Sequence, residues 1–472
     1  MEVTMEDGSK IICADNPIGG GTEGDVHLSV DGKYAIKLYH QPEPQRRTSL
    51  QLIINRFNPV RSDPIWQPLF CWPDAIVVAP SLGVRMPRAP AELRRLDVFL
   101  LSKFRNKRLQ PAERGNWDGY LKIAIKMARL MSRLHFSGLC YADPSWNNFL
   151  VDPRDGQAVA IDVDGLVVPN FLPAMVEGTR EFQAPELVLG TAPPSVQTDL
   201  HALAVLIYRT LMFHQVPNYG WGSVHPLGAG MSALQGSKIH PGMGEDVEKR
   251  SFGDAAVFIE HPTDYSNRPR EQFISCSILG PDLQKLIKEV FVEGLYDPQK
   301  RPLAAQWEEA LVQLYDRLIP CANTACEMKY FAVLESGDIR CPWCNTLVRE
   351  PKTLAVLRMY RQVPGWQPPK VVPDGNYMIV AWPGRTIHDW HIDPTKMPGR
   401  GANNQPRAQF DFDDNTKRWY LVNNNIDELI AKDANGRQTI SRGSSVELKN
   451  DLTLLLGRSS QSRVALVQIL AL

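Results

Sequence analysis

Two carboxylates and an amide stand at a spacing that could do chemistry. In GLCYADPSWNNFLVDPRDGQAVAIDVDG, residues 138–165, Asp143 is followed five places later by Asn148, and Asp162 comes after a predicted hairpin of NFLV and QAVAID joined by DPRDG. A carboxylate so placed can take or orient the proton of an acceptor hydroxyl, while an amide oxygen and a second carboxylate hold a metal ion; phosphoryl transfer needs that set. Asn, Asp, Pro and Gly also build ordinary turns, so the loop alone decides nothing. Asp162 and Asp164 compete for the metal. Asp162 is preferred because it directly follows the strand VAI, whereas Asp164 reads equally as a capped turn with Gly165.

Other segments bear on the same chemistry. In IGGGTEGDV, Gly19, Gly21, Gly24 and Val26 fit G-x-G-x-x-G-x-V, where glycines let backbone fold closely over phosphates and the valine covers a flat base. A dinucleotide-binding reading requires a helix next, but VHLSVDGKYAIKLY reads as two strands around Asp31-Gly32. Its second strand carries Ala35, Ile36 and Lys37, and a lysine there can offset and orient phosphate charge. Further on come GTREFQAPE at 178–186, QTDLHALAVLIY at 197–208 and YDPQKRP at 296–302.

In this order, the segments resemble the eukaryotic-type protein kinase fold over residues 10–318. The resemblance implies that Gly19, Gly21, Gly24, Val26, Ala35 and Lys37 bind ATP, that Asp143 is the catalytic aspartate, and that Asn148 and Asp162 hold magnesium. It makes Asp199 a structural residue of the central buried helix, and pairs Glu186 with Arg301 as a buried brace of the large lobe. Three departures stand out. His-Arg-Asp is Tyr141-Ala142-Asp143 here, so the arginine that docks a phosphorylated activation loop is missing; Ser145 replaces a lysine near the γ-phosphate. No acid is placed on the helix after Lys37: Glu43 lies between Pro42 and Pro44, and Gln51 is the candidate substitute.

CANTAC and CPWC place Cys321, Cys326, Cys341 and Cys344 as C-x4-C and C-x2-C knuckles around a 14-residue spacer. Four thiolates so spaced can surround zinc, and with no position left for substrate the metal is structural. Disulfides are the alternative, but they need an oxidising compartment. A kinase followed by such a ribbon, with MPRAP, GLYDPQKRP, EEALVQLY and CPWC, resembles a bacterial kinase group that includes the kinase of the tellurite-resistance-associated TerY-phosphatase-kinase triad. That likeness implies a PP2C-type phosphatase and a TerY-like von Willebrand A-domain protein as partners.

The elements that must position these residues divide the chain into a kinase N-lobe over 1–88, a mostly helical C-lobe over 89–320, a zinc ribbon over 321–349, a Pro- and Gly-rich linker over 350–375 and a β-sandwich over 376–472. The predicted class is multidomain α+β: a bilobal protein-kinase fold, a small four-cysteine ribbon and an all-β sandwich. One helix follows Leu50, Ile53, Ile54 and Phe57; the clearest spans 117–135, with Tyr120, Ile123, Ala124, Met127, Met131 and Leu134 on one face and Gly138 as its stop. The tail is similar to a forkhead-associated (FHA) domain through Gly384-Arg385, RWYLVNN, ISRGSSVEL and LLLGR. Its Ser-x-x-His is missing, and Arg385 is the candidate phosphopeptide clamp, against the alternative of a surface-turn arginine.

Composition sets the outer bounds: hydrophobic residues at 43%, charged residues at 22% and zero formal charge give no electrostatic support to a nucleic-acid partner. The stretch LHALAVLIYRTLMF is interrupted by His201 and Arg209 and too short to span a bilayer, and MEVTMEDGSKII lacks the order of a secretory signal, so a cytoplasmic protein without a membrane partner is expected. The leading function is a Mg-ATP-dependent Ser/Thr protein kinase acting on protein substrates in bacterial signalling or stress response. A nucleotide-binding pseudokinase scaffold and a kinase-fold small-molecule phosphotransferase stay open beside it.

Overall fold

The computed structural model describes residues 1–21, 23–42, 44–168, 171, 178–212, 225–228, 248–269, 273–334, 337–363, 370–396, 398 and 404–472. Glu43 lies outside them. The chain forms two compact units, Met1–Ser277 with Leu283–Glu309, and Ile278–Asp282 with Ala310–Leu472.

The first unit opens with an antiparallel sheet, seven strands among the described residues, in the order Lys10–Ile12, Glu2–Met5, Ala75–Ala79, Gly83–Pro87, Tyr34–Tyr39, Gly24–Leu28, Gly19–Gly20. Successive side chains of a strand point to opposite faces, and in Tyr34–Tyr39 both faces are covered. Ile36 and Leu38 pack with Val3, Met5 and Val77 on one side; Ala35 and Tyr39 pack with Leu50, Ile54, Val84 and Met86 on the other. The period places Lys37 on the face of Ala35 and Tyr39. Helix Arg46–Asn55 covers that face with Leu50, Ile53 and Ile54 buried, each burial worth about 1.5–3 kcal/mol. Phe57, expected on the same helical face, lies beyond the helix end.

The helical part is organised around Val196–Leu211, whose residues from Thr198 to Leu211 are all buried. A helix buried on every side belongs in a core, and its buried Asp199 and Arg209 are paired. Beside it runs Trp117–Phe136, capped by the Asn116 side chain, which accepts from the Gly119 N–H. The chain leaves that helix through Gly138, at φ 75°, and turns into the loop carrying Asp143. Phe149–Asp152 and Gln157–Ala160 then pair as a hairpin that returns the chain beside Asn148. No helix among the described residues is long and apolar enough to cross a membrane.

In the second unit, Leu318–Pro320 pairs with Tyr330–Ala332 beside the four cysteines. Two antiparallel sheets follow, ordered Lys370–Val380, Thr353–Val363, Val464–Ala471, Thr453–Leu455, Leu429–Asp433, Gly436–Ile440, and Thr386–Ile387, Ala408–Asp413, Arg418–Asn423, Ser445–Leu448. Trp419 of the second sheet is buried and donates its indole N–H to the Thr353 carbonyl of the first. The expected linker over 350–375 is corrected by this arrangement. Thr353–Val363 is a strand paired on both edges, with Lys370–Val380 and Val464–Ala471, so the sandwich begins well before residue 376. Residues 364–369, where its prolines concentrate, lie outside the described residues.

Candidate active site

The glycine-rich segment is a tight hairpin. Gly19 pairs with Val26 and Gly20 with Asp25, and the Gly21 N–H donates to the Gly24 carbonyl at 3.0 Å. Gly24 is glycine because a Cβ there would lie 2.2 Å from the Leu38 carbonyl oxygen. At Gly19 and Gly21, by contrast, no atom of the described residues beyond their chain neighbours lies within 4 Å of where a Cβ would stand. Packing does not require those two glycines, while the cleft beneath them leaves room for close approach by a ligand. The next strand sets Val26 opposite Lys37.

Asp143 sits on a loop pinned from below. Asp199, buried in the central helix, accepts the N–H groups of Tyr141 at 2.6 Å and Ala142 at 3.0 Å, and lies 3.1 Å from His135 Nε2. The Tyr141 hydroxyl donates to the Ile161 carbonyl, tying the loop to the residue before Asp162. Ala142 is held at φ 69° and Asp162 at φ 60°, left-handed conformations that cost a non-glycine residue about 1–2 kcal/mol. The Asp143 carboxylate accepts from the Thr179 N–H at 2.8 Å, the Thr179 hydroxyl at 3.3 Å and Asn148 Nδ2 at 3.1 Å. Burial raises the Asp143 carboxyl above its usual value, against the pull of those donors.

Lys37 is enclosed by acids. Its Nζ donates to Glu23 Oε2 at 3.1 Å, Asp164 Oδ2 at 3.1 Å, and Asp162. Desolvation would lower the ammonium, but Asp164, Asp162 and Glu23 outweigh it and keep Lys37 charged. Asp162 is pushed up to about 6 by desolvation and by the Asp164 charge, despite Lys37. Asp164 goes the other way, to about 2: desolvation opposes its charge, but Lys37, the Tyr39 hydroxyl and Arg46 prevail. Gln51 is not the substitute partner. It is exposed and donates to Glu6 Oε1 at 3.1 Å, while the helix contributes a cation, Arg46, paired with Glu23 at 3.0 Å.

The large-lobe brace has good geometry: Arg301 Nη1 and Nη2 donate to Glu186 Oε1 and Oε2 at 2.6 and 2.9 Å. A second brace has no counterpart among the sequence motifs. Arg209, buried in the central helix, pairs with Glu181 at 2.6 Å and stacks 3.7 Å over Trp146, whose ring meets Phe182 edge-on. It links the Asp143 loop to GTREFQAPE without a phosphate.

These residues converge on a cleft of about 690 Å³, lined by Ile18, Val26, Ala35, Met86, Leu93 and Leu150 with Lys37, Asp143, Asn148 and Asp162. That volume lies within the range of small-molecule sites, and apolar walls with a few polar groups are their usual composition. Asn148 uses its amide N–H groups on Asp143, leaving its oxygen as the acceptor a magnesium ion requires. With the partly exposed Asp162 carboxylate it makes a hard-oxygen set that fits that ion.

The four cysteine sulfurs lie within 4.8 Å of one another, with Cys321–Cys344 at 3.5 Å and Cys326–Cys341 at 3.9 Å. A tetrahedron with Zn–S bonds of about 2.3 Å requires edges near 3.8 Å, so the set fits zinc. Disulfide bonding, at about 2.05 Å, does not describe it. Arg385 does not serve as an open clamp. Its Nη1 and Nη2 each donate at 2.8 Å to backbone carbonyls, of Tyr315 and Leu318, and the guanidinium is thereby committed to its own unit.

The chain matches no family model and no curated protein. Among solved structures it is similar to the kinase domain of a Toxoplasma gondii specific rhoptry antigen, at 15% identity over 66% of this chain and 85% of that one, with a TM-score of 0.42. The features of the first unit itself are its antiparallel sheet, the glycine hairpin over the cleft, the hairpin that follows Asn148 and the buried central helix.

Three groups at this site escaped sequence reasoning. Glu23 stands inside the glycine motif, whose signal is the spacing of its glycines and not the acid between them; in the sequence Asp164 reads as metal ligand or turn cap. Arg46 carries the opposite charge to the residue sought at that helix.

Proposed function

We propose that the chain is a Mg-ATP-dependent protein kinase that transfers the γ-phosphate to Ser or Thr of protein partners in a bacterial signalling or stress-response system. The observation that carries this reading is the convergence of Lys37, Asp143, Asn148 and Asp162 in one cleft beneath the glycine hairpin. Val26, Ala35 and Met86 offer apolar walls to a base, and Lys37 offers its charge to phosphates. Asp143 accepts the hydroxyl proton of the acceptor and orients its oxygen for in-line attack. Magnesium held by Asn148 and Asp162 would supply positive charge against that building on the transferred group. The contact of Thr179 with Asp143 supports a protein acceptor, because it joins the catalytic carboxylate to the segment that faces the acceptor. The pseudokinase alternative draws on one observation: Glu23 occupies the cleft side of Lys37 and must yield to phosphate.

Zinc at Cys321, Cys326, Cys341 and Cys344 is structural in this proposal, and the PP2C-type phosphatase and TerY-like protein are the partners to try first. The FHA likeness of the sandwich supports protein binding; inward use of Arg385 argues for binding indifferent to phosphorylation. Radiolabelled ATP incubated with the purified full-length chain, with and without the phosphatase, tests the reading. Label on serine or threonine is expected; label confined to a small-molecule acceptor favours that alternative, and nucleotide binding without transfer favours the scaffold.

A further inference from the structure

The puzzle left by the sequence is what holds Lys37 when the neighbouring helix has no acid to offer. Three carboxylates touch its Nζ, and they differ in where they stand. Glu23 and Asp162 line the cleft, with 23% and 40% of their side chains exposed. There a bound phosphate competes with the first for the ammonium, and a metal ion competes with the ammonium for the second. Asp164 is behind the lysine: its side chain is 1% exposed, it is not part of the cleft wall, and its Oδ2 also accepts the Tyr39 hydroxyl at 2.5 Å. An ammonium has three protons, and to present two of them to a ligand in a fixed direction it needs one acceptor that the ligand cannot displace. Only Asp164 meets that condition among the three.

We propose that Asp164 is the positioning residue that orients Lys37 toward the cleft, doing from the Asp-Val-Asp-Gly turn what a helix carboxylate would otherwise do, and leaving Asp162 to the metal. The inference rests on the phosphoryl-transfer reading of the cleft. Arg46 fits the same account. It lies 4.6 Å over the Tyr39 ring and bonds Glu23, so the helix supplies the cation that balances an acid delivered from elsewhere. Tyr39 is the link between them, one face toward Arg46 and its hydroxyl on Asp164.

The test compares Asp164→Asn and Asp162→Asn in the full-length chain by calorimetry with ADP, with and without magnesium. Asp164→Asn is expected to weaken metal-free ADP binding about tenfold, since the charge-assisted hydrogen bond that fixes the direction of the ammonium becomes a weaker neutral one, while the gain conferred by magnesium is retained. Asp162→Asn is expected to lose the magnesium gain. Asp164→Asn with wild-type affinity, or with the same loss of magnesium gain as Asp162→Asn, overturns the proposal. Should Asp164→Asn fail to fold, Tyr39→Phe removes the donor that fixes Asp164 and is expected to weaken metal-free ADP binding in the same direction; unchanged affinity there overturns it too. If the wild-type chain binds no ADP, the phosphoryl-transfer reading falls by itself, and acylation of Lys37 read by peptide mass spectrometry decides the role of Asp164. A rise of about tenfold in Asp164→Asn supports it, and an unchanged rate refutes it.

Discussion

Replacing Asp199 by asparagine tests the footing of the Asp143 loop. The native carboxylate accepts at both oxygens, from Tyr141 N–H at 2.6 Å and Ala142 N–H at 3.0 Å. An amide keeps one acceptor and turns an NH2 group toward the other backbone N–H, so one bond to a charged group is lost in a buried place. Such a bond is worth about 1.5–3 kcal/mol, and its loss also releases Ala142 from a left-handed conformation that costs about 1–2 kcal/mol to hold. Asp199→Asn is therefore expected to speed amide exchange at residues 141 and 142 by roughly 10- to 150-fold, since about 1.4 kcal/mol is a factor of ten. Phosphoryl transfer should fall while exchange in the N-terminal sheet stays as in the wild type. The assay is hydrogen exchange resolved to the 138–148 peptide. Wild-type protection there, in a folded variant, would refute the argument that Asp199 holds the loop.

Three further outcomes are expected. Arg209→Met should expose the 178–188 segment to faster exchange by about 2–3 kcal/mol, less than the roughly 3–5 kcal/mol of a fully buried pair because Glu181 keeps 19% exposure; an unchanged segment removes the phosphate-free brace. Elemental analysis of protein purified without chelator should find one zinc per chain, and Cys341→Ser should lose it and destabilise the surrounding fold; a metal-free native chain contradicts the assignment. Asp316 is wholly buried, which opposes its charge, yet His391, Arg385 and the Tyr377 hydroxyl hold its carboxyl below the ordinary 3.8. Its stabilisation is thus present above pH 3.8 and lost as pH falls through the lower folded value. Asp316→Asn should flatten the acid branch of the full chain's stability curve, and a branch as steep as wild type would assign that loss to other groups.

Period two in YAIKLY suffices to put Lys37 on the face of Ala35 and Tyr39 once the strand is known, and the DPRDG turn suffices to bring Asp162 back toward Asn148. These are local rules, written in neighbouring residues. Glu23, Asp164 and Arg46 meet only because a hairpin tip, a turn 141 residues beyond that tip and a helix converge on one strand, and no short-range pattern encodes that meeting. The linker error has a different cause. Pro373 and Gly375 read as loop signals, but they lie on Lys370–Val380, the edge strand of its sheet, beside a register shift at Arg358–Tyr360; edges and bulges are where a sheet tolerates proline and glycine. At Arg385 the residue type was uninformative. A guanidinium fork suits a phosphate, and here it suits two backbone carbonyls.

In the proposed function Asp143 works on an acceptor hydroxyl in a magnesium-nucleotide cleft. Its most direct test is the rate of label transfer from γ-labelled ATP by the wild-type chain and by Asp143→Ala, with nucleotide affinity measured on the same samples. Removing a positioned base costs roughly 10²- to 10⁴-fold in rate, and a loss of that size is expected with nucleotide affinity largely kept. Equal transfer by the two proteins, or a wild-type chain that binds nucleotide and transfers nothing with any divalent metal, would contradict it.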